Sequence, residues 1–210
     1  MIVAIDGPAG AGKSTVARAL AARLGYRYLD TGAMYRSVTW LALKRGLPLG
    51  DPEPLAELAR SHPITFDTAG RVFIDDTDVT AAIRQVRVDR MVPVVARHPP
   101  VREVMRERQR VLADGGDVVI EGRDIGTVVA PDAELKVYLY ADPSVRARRR
   151  EAERPEIGAD ALATDLKLRD ASDQNRMQPA ADAVRIDTTA LAIDEVIAHI
   201  EDLVRVRQTV

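Results

Sequence analysis

Eight residues near the start of the chain, Gly7-Pro8-Ala9-Gly10-Ala11-Gly12-Lys13-Ser14, fit the pattern G-x-x-x-x-G-K-[ST] at every fixed position. Glycines so placed let a backbone curl until several N–H groups converge on an anion, and the positive end of a following helix adds to the attraction. Lys13 brings a point charge to the outer phosphates of a nucleoside triphosphate such as ATP. The Ser14 hydroxyl offers an oxygen to Mg²⁺, and Thr15 caps or lines the site. The flanks supply the context this motif needs. Residues 2–5 are an apolar run of strand length, and residues 14–24 show helical periodicity closed by Gly25.

A second set of residues answers a different demand. Phosphoryl transfer spreads charge over the moving group, so guanidiniums are needed around donor, acceptor and transferred phosphate. Arg36 follows Thr31-Gly32-Ala33-Met34-Tyr35 just past a short second strand. Arg123 stands in Gly122-Arg123-Asp124-Ile125-Gly126, a loop at a strand's carboxyl end, where such sheets bind ligands. Arg146, Arg148, Arg149 and Arg150 crowd one predicted helix, and spacing predicts an exposed face for 146, 150 and 154 as the plain alternative. Arg169, Asp173 and Arg176 fall at i, i+4 and i+7, predicting one face of a helix over about 159–176.

Three classes carry a phosphate loop of this kind. Switch GTPases need an Asn-Lys-x-Asp guanine reader, but the one asparagine, Asn175, precedes Arg176. Motor or regulatory ATPases need an apolar strand ending in an acid, and Val118-Val119-Ile120-Glu121 satisfies that, with Glu121 activating water. Small phosphotransferases need the arginines, and the arginines favour them.

The elements that must position these groups can be read along the chain. Its 210 residues suit a single α/β domain, with a parallel-type core over 1–61, 93–146 and 166–210. Apolar triplets at 64–66 and 72–74 flank a turn at 67–71 and predict an antiparallel hairpin. A hairpin is foreign to a doubly wound parallel sheet, so residues about 62–92 are expected as an insertion. Residues about 147–165, arginine-bearing and interrupted by Pro155 and Gly158, have the character of a mobile lid that excludes water. An amphipathic helix over 101–112 is expected to bury 101, 104, 105, 111 and 112, and one at the chain's end packs back on the sheet. Trp40, Leu41 and Leu43 read as core. His62, His98 and His199 lack ligand spacing and are expected on the surface or in the insertion.

Composition bounds the partners. A formal charge of −2 gives no global field for nucleic acid or anionic membrane. With no cysteine there are no disulfides or thiolate metal sites. No apolar run approaches the roughly 18 residues of a spanning helix, and no signal segment precedes the first strand. A cytoplasmic monomer acting on small molecules is expected.

The motifs together closely resemble the bacterial cytidylate kinases, a branch of the nucleoside monophosphate kinases. The resemblance runs along nearly the whole chain. Its anchors are residues 5–15 and 29–36, then Gly122-Arg123-Asp124-Ile125-Gly126-Thr127-Val128-Val129 and Arg169-Asp170-Ala171-Ser172-Asp173-Gln174-Asn175-Arg176, the last two being the specific ones. It implies a three-layer α/β/α P-loop fold with an inserted monophosphate-binding subdomain and a helical lid. It also implies transfer of the γ-phosphoryl of ATP to CMP or dCMP. Gly7, Pro8, Ala9, Gly10, Ala11, Gly12, Lys13, Ser14 and Thr15 would hold ATP with Arg149 and Arg150, and Ser14 would hold Mg²⁺. The resemblance assigns Arg36, Arg123 and Arg176 to the acceptor phosphate, so that with Lys13 they form the catalytic set. Thr31, Tyr35, Arg169 and Asp173 go to nucleoside and sugar, and Arg102 with Asp124 to the cytosine edge. UMP or shikimate kinases share lids and arginines and stand as rivals. Two departures are visible: Pro93 stands where the family pattern has a serine in the base pocket, and the segment between 150 and 169 is a few residues short.

Overall fold

The first apolar run becomes the central strand of a parallel sheet. In the computed structural model, which describes residues 1–155, 157–174 and 176–209, β1 (Ile2–Asp6) pairs in parallel with β6 (Val118–Gly122) on one side and β7 (Leu135–Tyr140) on the other. β8 (Val184–Asp187) adds in parallel to β7, β2 (Arg27–Asp30) completes the other edge, and the order is β2-β6-β1-β7-β8. Glu156 in the expected lid and Asn175 in the fourth signature lie outside the described residues.

Strand alternation decides what the sheet buries. Val3 and Ile5 stand in register with Leu135 and Val137 and share a face with Val119, Leu139 and Ile186. Against that face lie α1 (Lys13–Leu24), through Val16, Ala17 and Leu20, and α8 (Ile193–Gln208), through Val196, Ile197, Ile200 and Val204. Each fully buried aliphatic side chain here contributes about 1.5–3 kcal/mol. This packing fixes the carboxyl ends of β1 and β6, and with them the loops that leave these strands.

The chain divides into two compact units, Met1–Leu29 with Ala113–Val210, and Asp30–Leu112. The second unit holds α2 (Thr31–Lys44), α3 (Pro52–Ser61), a three-stranded antiparallel sheet of β3 (Ile64–Phe66), β4 (Val72–Ile74) and β5 (Thr77–Asp78), then α4 (Val86–Ala96) and most of α5 (Pro99–Ala113). The expected hairpin is therefore present, with Ile64 opposite Ile74, and β5 extends it.

Several expectations need correction. Helix α4, unforeseen, has valines of low helix propensity and an internal Pro93. Its stripe of Val88, Val92 and Ala96 packs on Tyr35, Trp40 and Leu43, and tertiary burial overrides local preference. In α5, Val101, Val104 and Met105 are buried but Val111 is 75% exposed, because the buried arc turns toward Gln109 instead. His98 is not a surface residue: it is buried, with its Nε2 at 2.8 Å from the Leu49 carbonyl. The helix over 159–176 stops early, since α7 spans Ala159–Asp173 and Arg176 lies in the following turn.

Gly7 follows β1 at φ 145° with its back against β7, where an added Cβ would lie 2.0 Å from the Leu139 carbonyl oxygen. Backbone strain and overpacking then act together. Gly7→Ala is expected to lower the unfolding free energy by about 3 kcal/mol or more, read from urea denaturation. An unchanged midpoint would contradict the contact with β7.

Candidate active site

Between β1 and α1 the chain makes the glycine-rich turn. Gly12 caps α1 at φ 90°, a left-handed conformation that starts the helix directly beneath the loop. Lys13 is buried, and its ammonium donates to the Pro8 carbonyl at 2.8 Å. Burial, then the nearby charges of Arg123 and Arg169, push it well below the ordinary lysine value, with Glu121 and Asp6 opposing. The Ser14 hydroxyl donates to Glu121 Oε2 at 2.9 Å, and the Tyr28 hydroxyl donates to the other oxygen of that buried carboxylate.

The loop after β6 is built from an element that no periodicity announced. Residues Ile125–Val129 form a single π-helical turn, a form frequent at functional sites. Asp6, the last residue of β1, fixes its start by accepting from the Ile125 and Gly126 N–H groups at 2.9 and 2.8 Å. Arg123 and Asp124 are thereby held on the stretch between β6 and this turn.

Helix α7 gathers the guanidiniums. Asp173, its last residue, accepts from Arg123 Nε at 3.1 Å through one oxygen and from Arg176 at 2.6 Å through the other. Arg176 is off the helix, yet its N–H bonds the Asp173 carbonyl at 2.8 Å, so the turn returns it to Asp173's side. Arg123, Asp173 and Arg176 are thus brought together, and Arg123 and Arg169 lie within electrostatic reach of Lys13.

Helix α6 (Pro143–Glu153) distributes its arginines differently from a simple exposed face. Arg146 is only 7% exposed and pairs with Asp170 at 2.6 Å, because that rung of the helix meets the phosphate loop. Arg149 donates to the Thr188 hydroxyl at 3.0 Å and carbonyl at 2.6 Å. Arg150 bonds Glu153 at 2.7 Å. Sequence reasoning missed Thr188, whose buried hydroxyl reaches the Ala11 carbonyl at 3.1 Å, and also missed Asp6 as an anchor. An acid closing the first strand was the available signal for Asp6; a lone threonine offered none.

In the second unit, Asp30 caps α2 by accepting from Ala33 N–H at 2.8 Å. Thr31 and Tyr35 are one turn apart at the start of α2, as are Gly32 and Arg36. Arg36 donates through Nε to Asp89 at 3.1 Å and lies 3.8 Å from Asp30, which Arg84 also approaches at 3.4 Å. Asp89 and Arg84 were not singled out from sequence. Arg102 stands on α5.

A glycine loop between a parallel strand and a helix, backed by arginines on two further helices, defines a phosphate-loop kinase. The fold agrees: solved structures of a shikimate kinase from Bacteroides thetaiotaomicron (TM-score 0.52, 15% identity, 98% of each chain) and a gluconokinase from Sinorhizobium meliloti 1021 (TM-score 0.51, 19% identity, 99% of this chain and 93% of that one) share it. The family described as cytidylate kinase matches residues 3–206. The chain is 47% identical over 211 residues to the cytidylate kinase of Desulfitobacterium hafniense (strain Y51), covering 96% of this chain and 91% of that protein. It is 46% identical over 214 residues to that of Enterococcus faecalis (strain ATCC 700802 / V583), at 97% and 95% coverage. It also matches a bifunctional pantoate ligase/cytidylate kinase of Synechococcus sp. (strain JA-3-3Ab) at 48% identity, spanning 39% of that longer protein. This chain belongs to the cytidylate kinase family, and it is a phosphotransferase. Among the described residues, no helix is long and apolar enough to cross a membrane.

Burial raises the Asp6 carboxyl to about 6 against its ordinary 3.8, helped by Asp124 and opposed by its two N–H donors and Lys13. Its folded value is the higher one, so its contribution to stability is complete below 3.8 and is lost as pH rises through about 6. NMR of the side-chain carboxyl carbon should give a midpoint near 6, and a midpoint at 3.8 would show the burial penalty to be absent.

Proposed function

We propose that this chain transfers the γ-phosphoryl group of ATP to CMP or dCMP, giving ADP and CDP or dCDP. The observation that carries the reading is the charge cluster beside the phosphate loop: Arg123 and Arg176 share one carboxylate, and Arg123 and Arg169 bear electrostatically on buried Lys13. A phosphate oxygen of CMP attacks the γ-phosphorus while the bond to the β–γ bridging oxygen breaks. The acceptor oxygen is already anionic at neutral pH, so no strong base is needed. Positioning and charge neutralisation carry the reaction. Lys13 neutralises the outer phosphates of ATP, and Arg36, Arg123 and Arg176 take the acceptor phosphate. One well-aimed donor of this kind is worth about 3–4 kcal/mol.

The loop residues 7–15 hold the triphosphate, and Arg149, braced on Thr188, and Arg150 attend ATP from α6. Among the described residues no cluster of three or more His, Cys, Asp or Glu could cage a metal. The Ser14 hydroxyl beside the Glu121 carboxylate instead offers the sparse, hard oxygen set that suits Mg²⁺ arriving with phosphates and water. When bound, the ion would neutralise charge on the β- and γ-oxygens. Glu121 is already bonded to two hydroxyls, which fits an orienting role better than activation of water for acceptor-free hydrolysis.

For the base, cytosine offers an exocyclic N–H₂ donor beside ring acceptors, which suits Asp124 and Arg102 respectively. Thr31, Tyr35, Arg169 and Asp173 attend nucleoside and sugar. Residues about 62–92 serve as the monophosphate-binding subdomain, and about 147–165 close over ATP. The reading takes the enzyme as a cytoplasmic monomer.

A panel of nucleoside monophosphates assayed with ATP should rank CMP and dCMP well above UMP. Acceptor-independent turnover that CMP fails to accelerate would overturn the assignment. Uracil places a carbonyl oxygen against Asp124, so Asp124→Ala should narrow the CMP-to-UMP ratio of kcat/KM by about tenfold or more. An unmoved ratio would remove Asp124 from the base edge.

A further inference from the structure

Three carbonyls of the phosphate loop are held by side chains. Lys13 donates to the Pro8 carbonyl at 2.8 Å, Arg146 to that of Ala9 at 3.1 Å and the Thr188 hydroxyl to that of Ala11 at 3.1 Å. No peptide bond among the described residues is cis, and in a trans peptide the C=O and the next N–H point in opposite directions. Whatever grips the Ala9 oxygen therefore turns the Gly10 N–H the other way, out of the grip.

Arg146 is built for that grip. It is 7% exposed, and its guanidinium takes Asp170 through both terminal nitrogens, at 3.1 and 2.6 Å, while one of them also reaches Ala9. Its Nε is buried with no hydrogen-bond partner, so the side chain is held in this pose at a cost. Its backbone also supports the loop, since a Cβ on Gly10 would lie 3.0 Å from both the Arg146 Cβ and its carbonyl oxygen. Arg146 stands on the first turns of α6, one residue before the segment 147–165, and Asp170 lies five residues beyond that segment on α7. The ion pair thus ties both roots of the segment to a single peptide of the phosphate loop.

We propose that Arg146, locked by Asp170, is a positioning residue that orients the Ala9–Gly10 peptide so that the Gly10 N–H meets the phosphates of ATP, coupling triphosphate affinity to the roots of the 147–165 segment. This rests on the reading of the loop as the ATP site. It adds that two residues which need not touch either substrate set the affinity for one of them. A lysine at 146 keeps the charge but cannot grip Asp170 through two nitrogens while still reaching Ala9, which separates geometry from charge.

The test compares Asp170→Asn and Arg146→Lys with the parent, using calorimetric titration of ATP, separate KM values for ATP and CMP, and the amide NMR signal of Gly10 on ATP addition. Each variant is expected to weaken ATP about tenfold, to raise the CMP KM less than threefold and to shrink the Gly10 amide shift. Arg146→Leu with Asp170→Leu removes both charges of this partly buried pair, and such replacements are often neutral for stability. In that double variant the melting temperature should recover toward the parent while ATP affinity stays weakened. Parent-like ATP affinity in the single variants, equal losses for ATP and CMP, or affinity that recovers with stability would each overturn the proposal. A parent protein that binds ATP but does not phosphorylate CMP would instead count against the functional reading alone.

Discussion

Cations crowd one another around the phosphate loop, and they can do so only because carboxylates stand between them. Lys13, Arg123, Arg146, Arg169 and Arg176 belong to one compact unit, and Arg123 and Arg169 each depress the Lys13 ammonium. Left alone, such a set would repel itself and pay for lost hydration. Asp173 offsets two of the guanidiniums, Asp170 a third, and Glu121 and Asp6 moderate the lysine. The positive charge is thereby held in a fixed arrangement by the protein's own carboxylates.

Helix α7 is the beam on which that balance rests. Asp170 faces the loop through Arg146, and Asp173, one turn later, faces Arg123 and Arg176. A helix fixes the separation of these carboxylates, so the carbonyl-holding arginine and the gathered pair are spaced by one rigid element. The same logic explains why arginine fills these places. A planar guanidinium can serve a carboxylate bidentately and still reach a backbone oxygen, as Arg146 does.

Much of this was legible in the residues. The strand, glycine turn and helix of the phosphate loop are dictated locally, by an apolar run, by glycines at positive φ and by the periodicity of Val16, Ala17, Leu20 and Ala21. The spacing of 169 and 173 correctly placed both on one helix. Arg176 was misplaced because spacing alone cannot see that α7 ends at Asp173; a backbone bond in the next turn, not helical phase, returns it to Asp173. Helix α4 was invisible for a different reason: its valines and Pro93 argue against a helix, and only the surface of α2 makes their stripe worth burying. Arg146 stood between two readings, one of the transfer arginines or part of an exposed face, because nothing in a sequence distinguishes a guanidinium facing water from one facing Ala9 and Asp170. Thr188 and the π-helical turn depend on groups more than a hundred residues away, Ala11 and Asp6 respectively, and no local pattern encodes such pairings.

Asp6 shows how closely the phosphate loop and the loop after β6 are joined at the sheet. It is the last residue of β1, and Gly7, the next, begins the phosphate loop. Its carboxylate closes the π-helical turn that follows Arg123 and Asp124 on the neighbouring strand's exit. One side chain therefore holds together two loops that parallel pairing of β1 and β6 has already brought side by side. A neutral amide in its place would present a single oxygen, with an NH₂ group where the second N–H now finds an acceptor. Replacement of this kind would loosen the loop after β6 while leaving the phosphate loop's own glycines untouched. The coupling between the two loops is thus carried by an acid at a strand end, through its bonds to Ile125 and Gly126.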